Sequence, residues 1–583
     1  PPPPVGSYNA HPDNQPASFR DFFNWVQGNP GACSVSIKCY EPNRLVADWI
    51  MPRLAKSPNL HVLLRTAVVD TARDAAGNVT SITCVQRAAT PGYTEWSAPL
   101  STVLDDWYDP KDSPRFTKSV FNLTGAVFVE ATELGDVLLT AGLPFTQGVE
   151  LPTERNTTGN PGCGQAWTLT FYLTLLAAPQ SPPVPIPAGG GEGAPFPSPA
   201  SWDWHHAWSW RRAHCAGNTS LDAVNVGDVT QQNLGNDLDT AYVPLPATDA
   251  APVQSPWRGG VNTTALAMLE GRAYGLVHYM NATSPEPAWQ DNRLVLDYTV
   301  SGTQHGLSKF PYLRDTRRGF GIDGFRLYYN NTLDYFNISF PVAGYNFPDT
   351  VALSDYNDDV HHLLSSVCTY PPYVAIHKTK PFYIPFRALT AGGAPNLLLA
   401  GKTMAQSFHA NGATRLHPSE WTSGVAAGGA AVYMVQRGLP STAAVLDDVF
   451  GLRAFLNSSA VGQPLQWATD PLPPLQIGYQ CAGFGEGSGR CVGVDHQVGP
   501  GPVHHDATCD AACKALAVNE WLANAEFWEV RGGDAVSRQA TVLKKSITQS
   551  SVLPPAEVLG VPANYTAKLL AGGEFEGYYL VAA

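Results

Sequence analysis

The clearest pattern of apolar and polar positions runs from residue 396 to residue 436. Its apolar run Leu397–Ala400 is short and is followed by Gly401, which is typical of a buried strand in a parallel sheet. Gly424–Val435 is rich in Ala and Gly, which predicts a helix that packs closely on a sheet or on a ligand. The polar stretch 402–420 lies between them. The chain is therefore predicted to form a strand, a polar loop and a helix here.

This arrangement is typical of ligand sites in α/β proteins, because backbone N–H groups and the helix dipole converge at the start of the helix. The loop also carries His409, Arg415 and His417, which are able to bind or exchange protons. Small residues suit close helix–sheet packing equally well. The pattern alone leaves both interpretations open.

Elsewhere in the chain, some short stretches have apolar residues at helical spacing, and others alternate apolar and polar residues as strands do. Residues 1–32 are rich in Pro and carry an aromatic patch that predicts one short helix. The further predicted helices are Glu41–Leu54, Val137–Ala141, Asn262–Asn281 and Ala443–Leu456. The predicted strands are Leu60–Leu64, Ala67–Ala72, Val79–Gln86, Gly125–Glu130 and stretches within 320–340. These elements indicate an α/β body with an antiparallel excursion.

Composition divides the chain into four predicted parts. Residues 1–32 form a Pro-rich lead with an aromatic anchor, and residues 33–470 form the body. Residues 471–535 form a small Cys-rich module, and residues 536–583 form a small β module.

The charge of the chain excludes some partners. The 583 residues carry a net charge of −13 and no basic runs, which argues against nucleic acid as a partner. No apolar run reaches the length that spans a membrane. No metal site is predicted, and the chain has no Gly-x-Ser-x-Gly elbow, zincin helix or P-loop.

Glycosylation motifs and cysteines indicate an oxidising, extracellular location, with incidental motifs in a cytosolic protein as the alternative. N-linked glycans are expected at ten Asn-x-Ser/Thr motifs, namely Asn78, Asn122, Asn156, Asn218, Asn262, Asn281, Asn330, Asn337, Asn457 and Asn564. The Cys509-x₃-Cys513 spacing with nearby His496, His504 and His505 also suggests zinc, but disulfides suit a secreted chain better. The disulfide candidates are Cys33, Cys39, Cys481, Cys491, Cys509 and Cys513.

Two groups of residues could carry chemistry. Arg314, Arg317 and Arg318 surround one Asp, and such Arg forks either bind an anionic substrate or pin a loop. His409 and His361 are candidate general bases, because imidazole exchanges protons near neutral pH.

Several colinear stretches carry a resemblance to a known family. They are CYEPNRLVADWIMPRL (39–54), VLLRTAVVD (62–70), FVEATELGD (128–136), WSWRR (208–212), KFPYLRDTRR (309–318), YIPFRAL (383–389) and NLLLAGKTMAQSFHANGATRLHPSEWTSGVAAGGAA (396–431). Together they resemble the FAD-dependent oxidoreductases. The resemblance implies a glutathione-reductase-like, FAD/NAD(P)-binding α/β body with an interleaved antiparallel substrate domain.

The resemblance also implies roles for individual residues. It places Gly401 and Lys402 near the ribityl and pyrophosphate groups of FAD, and the helix start Ser419–Gly424 under the pyrimidine edge of the flavin. The cofactor-binding residues would be Glu133, Asp136, Gly401, Lys402, Arg415, Ser419 and Gly424. The substrate side would be formed by Arg314, Arg317 and Arg387.

The chain departs from the family pattern in two respects. Lys402 stands where the family usually has Arg, and no strand–Gly-x-Gly-x-x-Gly–helix unit is found. In a flavoenzyme the missing unit is expected either as a separate N-terminal fragment that completes the flavin domain or as a further segment of the protein, whereas a scaffold would not need it.

Two functions are compatible with this pattern. One is a secreted flavoenzyme that takes a hydride from a bound alcohol, amine or C–H substrate. The alternative is an inactive scaffold in an extracellular matrix, cell wall or filament, with self-assembly or matrix partners.

Overall fold

A computed structural model describes much of the chain. The described residues are 14–28, 41–150, 159–160, 163–180, 208, 211–220, 223–232, 259–283, 292–328, 347, 349–361, 379, 381–465 and the C-terminal strand segments 478–482, 490–494, 525–531, 534–535, 568–569 and 575–582. The predicted sites at Cys33, Cys39, Asn156, Asn330, Asn337, Cys509, Cys513 and Asn564 lie outside these ranges.

The described helices fall in every part of the chain up to residue 457. They are α1 (Ala17–Gly28), α2 (the consecutive pieces Pro42–Arg44, Leu45–Ile50 and Met51–Ala55), α3 (Leu104–Tyr108), α4 (Asp136–Thr140), α5 (Thr263–Thr283), α6 (Tyr298–Ser301), α7 (Phe408–Thr414), α8 (His417–Arg437), α9 (Thr442–Asp447) and α10 (Val449–Asn457). Short 3₁₀ turns are Leu100–Thr102, Ile322–Gly324, Phe386–Leu389 and Gly401–Thr403.

The described strands form small sheets. They are β1 (Thr66–Arg73), β2 (Val79–Ala89), β3 (Phe116–Thr124), β4 (Phe128–Glu130), β5 (Phe145–Thr146), β6 (Val149–Glu150), β7 (Gly159–Asn160), β8 (Phe171–Leu175), β9 (Arg212–His214), β10 (Val229–Gln232), β11 (Leu294–Leu296), β12 (Arg318–Gly319), β13 (Thr350–Ser354), β14 (Phe382–Pro385), β15 (Leu397–Leu399), β16 (Gly478–Ala482), β17 (Arg490–Val494), β18 (Ala525–Arg531), β19 (Asp534–Ala535), β20 (Lys568–Leu569) and β21 (Phe575–Ala582).

The parallel pair β4–β15 lies at the centre of the body. Leu397 pairs with Phe128, and Leu399 pairs with Glu130. The three Leu side chains of β15 are fully buried, and helix α8 packs over the pair. This confirms the predicted buried strand and the small-residue helix, because a helix with Ala and Gly on its inner face packs closely on a sheet. The predicted loop 402–420, in contrast, contains the helix α7.

The side chain of Asn396 links the antiparallel sheet β1–β2–β3 to the central pair. Asn396, just before β15, accepts a hydrogen bond from the N–H of Val79 and donates to the carbonyls of Val79 and Ala126. The predicted strands 67–72 and 79–86 are confirmed as β1 and β2. The predicted strand Leu60–Leu64 is wrong, since its backbone pairs with no described strand and Leu60 and Leu64 are exposed.

A second core lies between α5 and the sheet β11–β8–β10–β9. Helix α5 confirms the prediction for residues 262–281. Asn281 lies inside this core at 7% exposure, and its amide donates to the carbonyls of Val277 and Leu294. Its carbonyl oxygen also accepts from the N–H of Leu294. Burial with both amide hydrogens engaged argues against a glycan on Asn281.

Helices α1 and α2 are held on α8 by aromatic rings. The Phe22 ring stacks on the Trp421 ring at a centroid distance of 5.2 Å, and Trp49 meets Trp421 edge to face at 5.6 Å. The Trp421 indole N–H also donates to Ser18 at 2.9 Å. The aromatic anchor predicted in residues 1–32 therefore packs beside the first turns of α8.

The C-terminal strands form two sheets. Cys481 in β16 and Cys491 in β17 are register partners, which keeps both as candidates for a bridge. Strand β18 pairs with β21. This pairing joins the predicted Cys-rich and β modules, so the predicted boundary at residue 535 falls inside one sheet.

Candidate functional site

The carboxyl ends of β4 and β15 meet at one edge of the central pair. The N–H of Ala400 donates to the carbonyl of Glu130 at 2.9 Å, and the Thr403 hydroxyl donates to the same carbonyl at 3.1 Å. The loops 131–135 and 401–406 therefore leave the sheet side by side. Ligands of α/β proteins bind outside the carboxyl ends of adjacent strands.

Lys402 joins these two loops to the helix α8. Its ammonium lies 3.0 Å from Glu133 Oε2 and 2.7 Å from Glu420 Oε1. The lysine is 6% exposed, whereas the Glu133 side chain is 49% exposed. Burial alone would lower the pKa of Lys402, but the Glu420 and Glu133 carboxylates raise it, so the ammonium stays charged. We refer to Glu133, Lys402 and Glu420 as the Lys402 triad.

The backbone beside the triad is shaped for a close approach. Gly401 has a φ of +64°, and an added Cβ would meet nothing nearer than Glu420 at 3.8 Å. Helix α8 has 21 residues, and its N-cap, Leu416, makes no side-chain cap to the first-turn N–H groups. These N–H groups and the positive end of the helix dipole favour a dipolar or anionic group.

Glu130 fixes the loop that carries Glu133. Its fully buried carboxylate accepts from the N–H groups of Thr132 and Val137, which ties the end of β4 to the start of α4. Burial raises the pKa of Glu130. Gly135, in the left-handed conformation at φ +66°, would place a Cβ 2.8 Å from the Cβ of Arg317. These contacts hold the loop in place, and Glu130 is a site residue that the sequence did not reveal.

Asp136 lies beneath this loop, at 6% exposure. Burial, together with the charge of Glu130, raises the pKa of Asp136 to about 7, although Arg317 and a hydrogen bond with Tyr108 act in the opposite direction. Asp136 is predicted to contact the cofactor, but the structure places it under the loop while Glu133 faces outward.

The arginines predicted to face the substrate are built into the fold. Arg314 donates to the Ala166 carbonyl, and Arg317 donates to the carbonyls of Leu134 and Gly259. Arg314 is 2% exposed and Arg317 is fully buried. Of the two interpretations of the arginine cluster, the structure supports the one in which it pins loops.

Arg387, also predicted to face the substrate, forms a bidentate pair with Asp349. Its Nε lies 3.0 Å from Oδ2 and its Nη2 lies 3.1 Å from Oδ1. The guanidinium also lies over the Phe325 ring at 4.6 Å. The hydrogen bonds and the ring contact of the guanidinium are therefore all made with protein groups, which indicates a structural role.

The two candidate bases have different surroundings. His409 is fully buried, and its Nδ1 lies 2.7 Å from Asp358 Oδ2. The His361 side chain is 29% exposed, and its Nε2 lies 3.3 Å from Asp359 Oδ1. Only a base that a substrate can reach takes its proton, so His361 is the better candidate.

Asp359 contacts the side chains of Arg415, Tyr356 and His361, and Arg415 adds Tyr312 to the group. Arg415 donates to Asp359 Oδ2 at 2.9 Å and to the Tyr312 hydroxyl at 2.5 Å. The Tyr356 hydroxyl donates to Asp359 Oδ2 at 2.7 Å. Burial alone would raise the pKa of Asp359, but the hydrogen bond to His361 and the charge of Arg415 hold it well below its usual range. We refer to Tyr312, Tyr356, Asp359, His361 and Arg415 as the Asp359 cluster.

The Asp359 cluster borders the start of α8. Arg415 lies two residues before the helix begins. The hydroxyl oxygen of Ser354, the last residue of β13, lies 2.5 Å from the hydroxyl oxygen of Ser419. The segment 355–361, which carries Asp359, follows directly after Ser354. The cluster and the Lys402 triad therefore lie near the same helix end, although Arg415 contacts Asp359 rather than an open cofactor surface.

Ser419 and Gly424, which are also predicted to bind the cofactor, lie in different surroundings. Ser419 is 1% exposed and faces Ser354. Gly424 lies two turns into α8, where nothing is within 4 Å of an added Cβ. Tyr312 and Tyr356 were not predicted, because no local pattern marks a tyrosine that a distant Asp or Arg will engage.

Several predicted glycosylation sites are exposed. Asn122, Asn218 and Asn457 are on the surface, Asn78 is partly exposed, and Asn262 accepts from the first N–H groups of α5.

Among the cysteines described with side chains, Cys163 and Cys215 are disulfide-bonded and Cys84 is a buried free thiol. In the described segments, no group of three or more His, Cys, Asp or Glu could hold a metal, and no helix could span a membrane.

Comparison with known families identifies the chain. The profile of the family described as FAD dependent oxidoreductase matches residues 115–452, more than half of the 583 residues. The chain belongs to the FAD dependent oxidoreductase family. Membership implies FAD as cofactor and flavin-linked redox chemistry. The mixed helix and sheet content agrees with the α/β class. Comparisons with curated proteins and with solved structures find no match.

The donor set beside Lys402 fits the ring-bearing end of FAD. The flavin ring is dipolar, and here it would meet the Lys402 ammonium with the Glu133 and Glu420 carboxylates beside it, an uncapped helix start and the open side of Gly401. These residues lie at the strand ends where α/β proteins bind nucleotides. The observed residues therefore fit the cofactor that the family implies.

The pyrophosphate end has no such cradle within the described residues. Gly319, Gly321 and Gly324 have the Gly-x-Gly-x-x-Gly spacing. A Cβ on Gly321 would meet the Arg387 carbonyl at 2.2 Å, so this loop packs on protein, and a 3₁₀ turn rather than a helix follows. The spacing here serves packing and not phosphate binding.

Proposed function

We propose that the protein is a flavoenzyme that oxidises an organic substrate by hydride transfer. The observation that carries the proposal is the Lys402 triad, in which a buried ammonium lies at the meeting point of two parallel strand ends and an uncapped 21-residue helix. An ion pair that only stabilised the fold would not need to lie at the carboxyl ends of two parallel strands and at an uncapped helix start.

Each part of the site has a defined task. Lys402 and the first turn of α8 would hold the ring-bearing end of FAD, and Glu130 keeps the loop of Glu133 in place. When bound, the flavin ring accepts a hydride from an organic substrate. Asp359 orients His361, which holds the proton that the substrate gives up.

Absorbance tests this proposal. The full chain, mixed with FAD and freed of unbound cofactor by gel filtration, is expected to retain a visible flavin band. A Lys402→Met variant is expected to retain less FAD than wild type, and Lys56→Met, an exposed lysine, is the control. A folded chain that retains no flavin contradicts the proposal.

The finer architecture belongs to the same proposal. The body would be glutathione-reductase-like with an interleaved antiparallel substrate domain, followed by small C-terminal modules. A separate N-terminal fragment with the dinucleotide-binding unit would complete the flavin domain. Support comes from apolar groups that remain exposed, namely Val129 in β4 at 42% and Leu64 at 68%. Retention of more FAD when such a fragment is added would test this arrangement.

Secretion and N-glycosylation are also proposed. The exposed motifs at Asn122, Asn218 and Asn457 support them, as do the disulfide-bonded Cys163 and Cys215. Glycopeptide mapping of the protein from its source tests both, and an unmodified, fully reduced chain would contradict them.

An inactive extracellular scaffold is a second candidate, supported by one observation. The predicted site residues Arg314, Arg317, Arg387, Lys402 and Arg415 all contact protein groups. Charges engaged in this way also stabilise a fold. Electron microscopy tests the scaffold, which predicts ordered self-association or binding to matrix, whereas a strictly monomeric protein would contradict it.

A further inference from the structure

Strand β3 lies at the edge of its sheet, since β2 pairs with it on one side and no described strand pairs with it on the other. The register with β2 runs without a bulge from Phe116 to Thr124. Backbone groups along an antiparallel strand point alternately to its two sides, so those of every second residue face the outer edge. A free edge of this kind is a template for pairing with another chain.

One half of this edge is closed by the loop before β3. The N–H of Lys118 donates to Asp112 Oδ1 at 2.7 Å, and the N–H of Phe116 donates to the Ser113 hydroxyl at 3.1 Å. The Phe116 carbonyl accepts from the N–H of Ser113 at 2.9 Å. Phe116 and Lys118 therefore face outward, and so do the even-numbered residues that follow them in β3.

The other half of the edge, residues 120–124, is open. The outward backbone groups of Val120, Asn122 and Thr124 have no hydrogen-bond partner among the described residues. Val120 is 52% exposed, and residues 119–124 include no charged side chain that would repel an approaching strand. Natural edge strands are protected by charges, by Pro or by bulges, and this half of β3 has none of them.

Asn122 carries its glycosylation motif at the centre of the open half. The Thr83 hydroxyl donates to Asn122 Oδ1 at 2.9 Å, across a directly opposed pair of β2 and β3. The Asn122 side chain is exposed, and its Nδ2, the atom that carries a glycan, makes no hydrogen bond to a described residue. Thr124, the third residue of the motif, is exposed on the same face. Asn281, in contrast, has both amide hydrogens engaged.

Pairing of two β3 edges would bring two copies of Asn122 together. The register that uses the whole open half pairs residues 120–124 with the same residues of a second copy, around a twofold axis at Asn122. The two Asn122 Cα atoms would then be about 5.5 Å apart, with both side chains on one face of the joined sheet. Two branched glycans that start from such close points leave no room for each other.

We infer that an N-glycan on Asn122 covers the open edge of β3 and keeps the chain from pairing with a second copy of itself. The inference rests on the proposed N-glycosylation and goes beyond the redox function. Without the glycan, the open half binds the same edge of a second copy, and the two three-stranded sheets join into one. The modification therefore decides whether the protein is a monomer or a dimer.

Removal of the glycan in two independent ways tests the inference. The full chain is secreted from a host that adds N-glycans, and its mass is measured by sedimentation equilibrium. Asn122→Gln and Thr124→Ala each abolish the motif and are each expected to double the apparent mass, because the edge becomes free to pair. Thr124→Ser is the matched control, since it keeps the motif and is expected to stay monomeric as wild type does.

A charge placed on the edge locates the contact. Val120→Lys, combined with Thr124→Ala, is expected to restore the monomer, because a lysine on an edge strand opposes pairing. Asn218→Gln, which alters a motif between β9 and β10, is expected to stay monomeric. Glycan-free variants that stay monomeric, or a double variant that still dimerises, overturn the inference. If Asn122→Gln fails to fold by circular dichroism, Thr124→Ala, which keeps the bond from Thr83, decides.

Glycopeptide mapping and FAD titration of the same samples separate the claims. Glycans on other motifs but none on Asn122 overturn this inference alone, and a chain without any glycan also overturns the proposed glycosylation. The variants are expected to take up FAD as wild type does, because β3 is not part of the Lys402 triad. A glycan-dependent monomer that takes up no FAD overturns the proposed flavoenzyme but supports this role of the glycan.

Discussion

The ammonium of Lys402 lies 2.7 Å from the carboxylate of Glu420, in the first turn of α8. Burial raises the pKa of Glu420, and the charge of Lys402 opposes that rise. Each residue therefore depends on the other for its charge. Lys402 offsets one of the two carboxylate charges beside the helix start, so its loss would leave Glu133 and Glu420 without their shared cation.

Replacement of Lys402 by Met is expected to weaken FAD binding by about tenfold. It is also expected to lower the free energy of unfolding by about 1–3 kcal/mol, because Glu133 and Glu420 lose their shared cation. Fluorescence titration and urea denaturation measure the two effects, with Lys56→Met as control. FAD affinity equal to that of wild type would separate Lys402 from the cofactor.

The stability of the chain is expected to depend on Asp136 below neutral pH. Folding raises its pKa from 3.8 to about 7, so the folded chain binds one more proton between these values. The contribution of Asp136 is therefore fully present below about pH 4 and lost as the pH rises through 7. The free energy of unfolding should fall by about 1.4 kcal/mol per pH unit in this window.

Urea denaturation across this pH range measures the effect. Asp136→Asn should remove that part of the slope, whereas Asp447→Asn, at an exposed position, should keep it. An Asp136→Asn variant with the slope of wild type would show that Asp136 titrates normally in the folded chain.

The glycosylation motifs at Asn281 and Asn218 should behave oppositely. Asn281→Ala is expected to destabilise the fold by about 3 kcal/mol, because it removes three buried hydrogen bonds. Asn218→Gln, on the surface, should change stability by about 0.5 kcal/mol or less and should abolish one glycan. Glycopeptide mapping and denaturation test both, and a glycan found on Asn281 would contradict the described core.

Arg387→Lys should destabilise the protein without any change in FAD binding. Lysine cannot reproduce the bidentate fork on Asp349, and the expected loss is about 1–2 kcal/mol. Arg73→Lys, which alters an exposed arginine, is the control. If Arg387→Lys instead raised the substrate KM at unchanged stability, the arginine would face the substrate, as the family resemblance implied.

Local patterns were enough to predict the central strand and helix. Leu397–Leu399 is an uninterrupted apolar run, and α8 carries small residues. Both patterns lie in the very segments whose structure they predict, so no distant contact was needed. Leu60–Leu64 shows the limit of such signals. An apolar run becomes a strand only when another strand pairs with it, and no described strand does so here.

Tertiary contacts determined the rest of the site. Lys402 and Glu133 are in contact although they are 269 residues apart in the sequence, and no local spacing rule predicts such a contact. His409 and His361 look alike in the sequence, but packing buries the first and leaves the second at 29% exposure. Burial decides which histidine can serve as a base, and burial is a property of the whole fold.

The visible spectrum of the full chain, purified under native conditions and incubated with FAD, tests the central claim most directly. The account predicts a retained flavin band that is weakened by Lys402→Met and unchanged by Lys56→Met. A folded, colourless protein that takes up no FAD would contradict it.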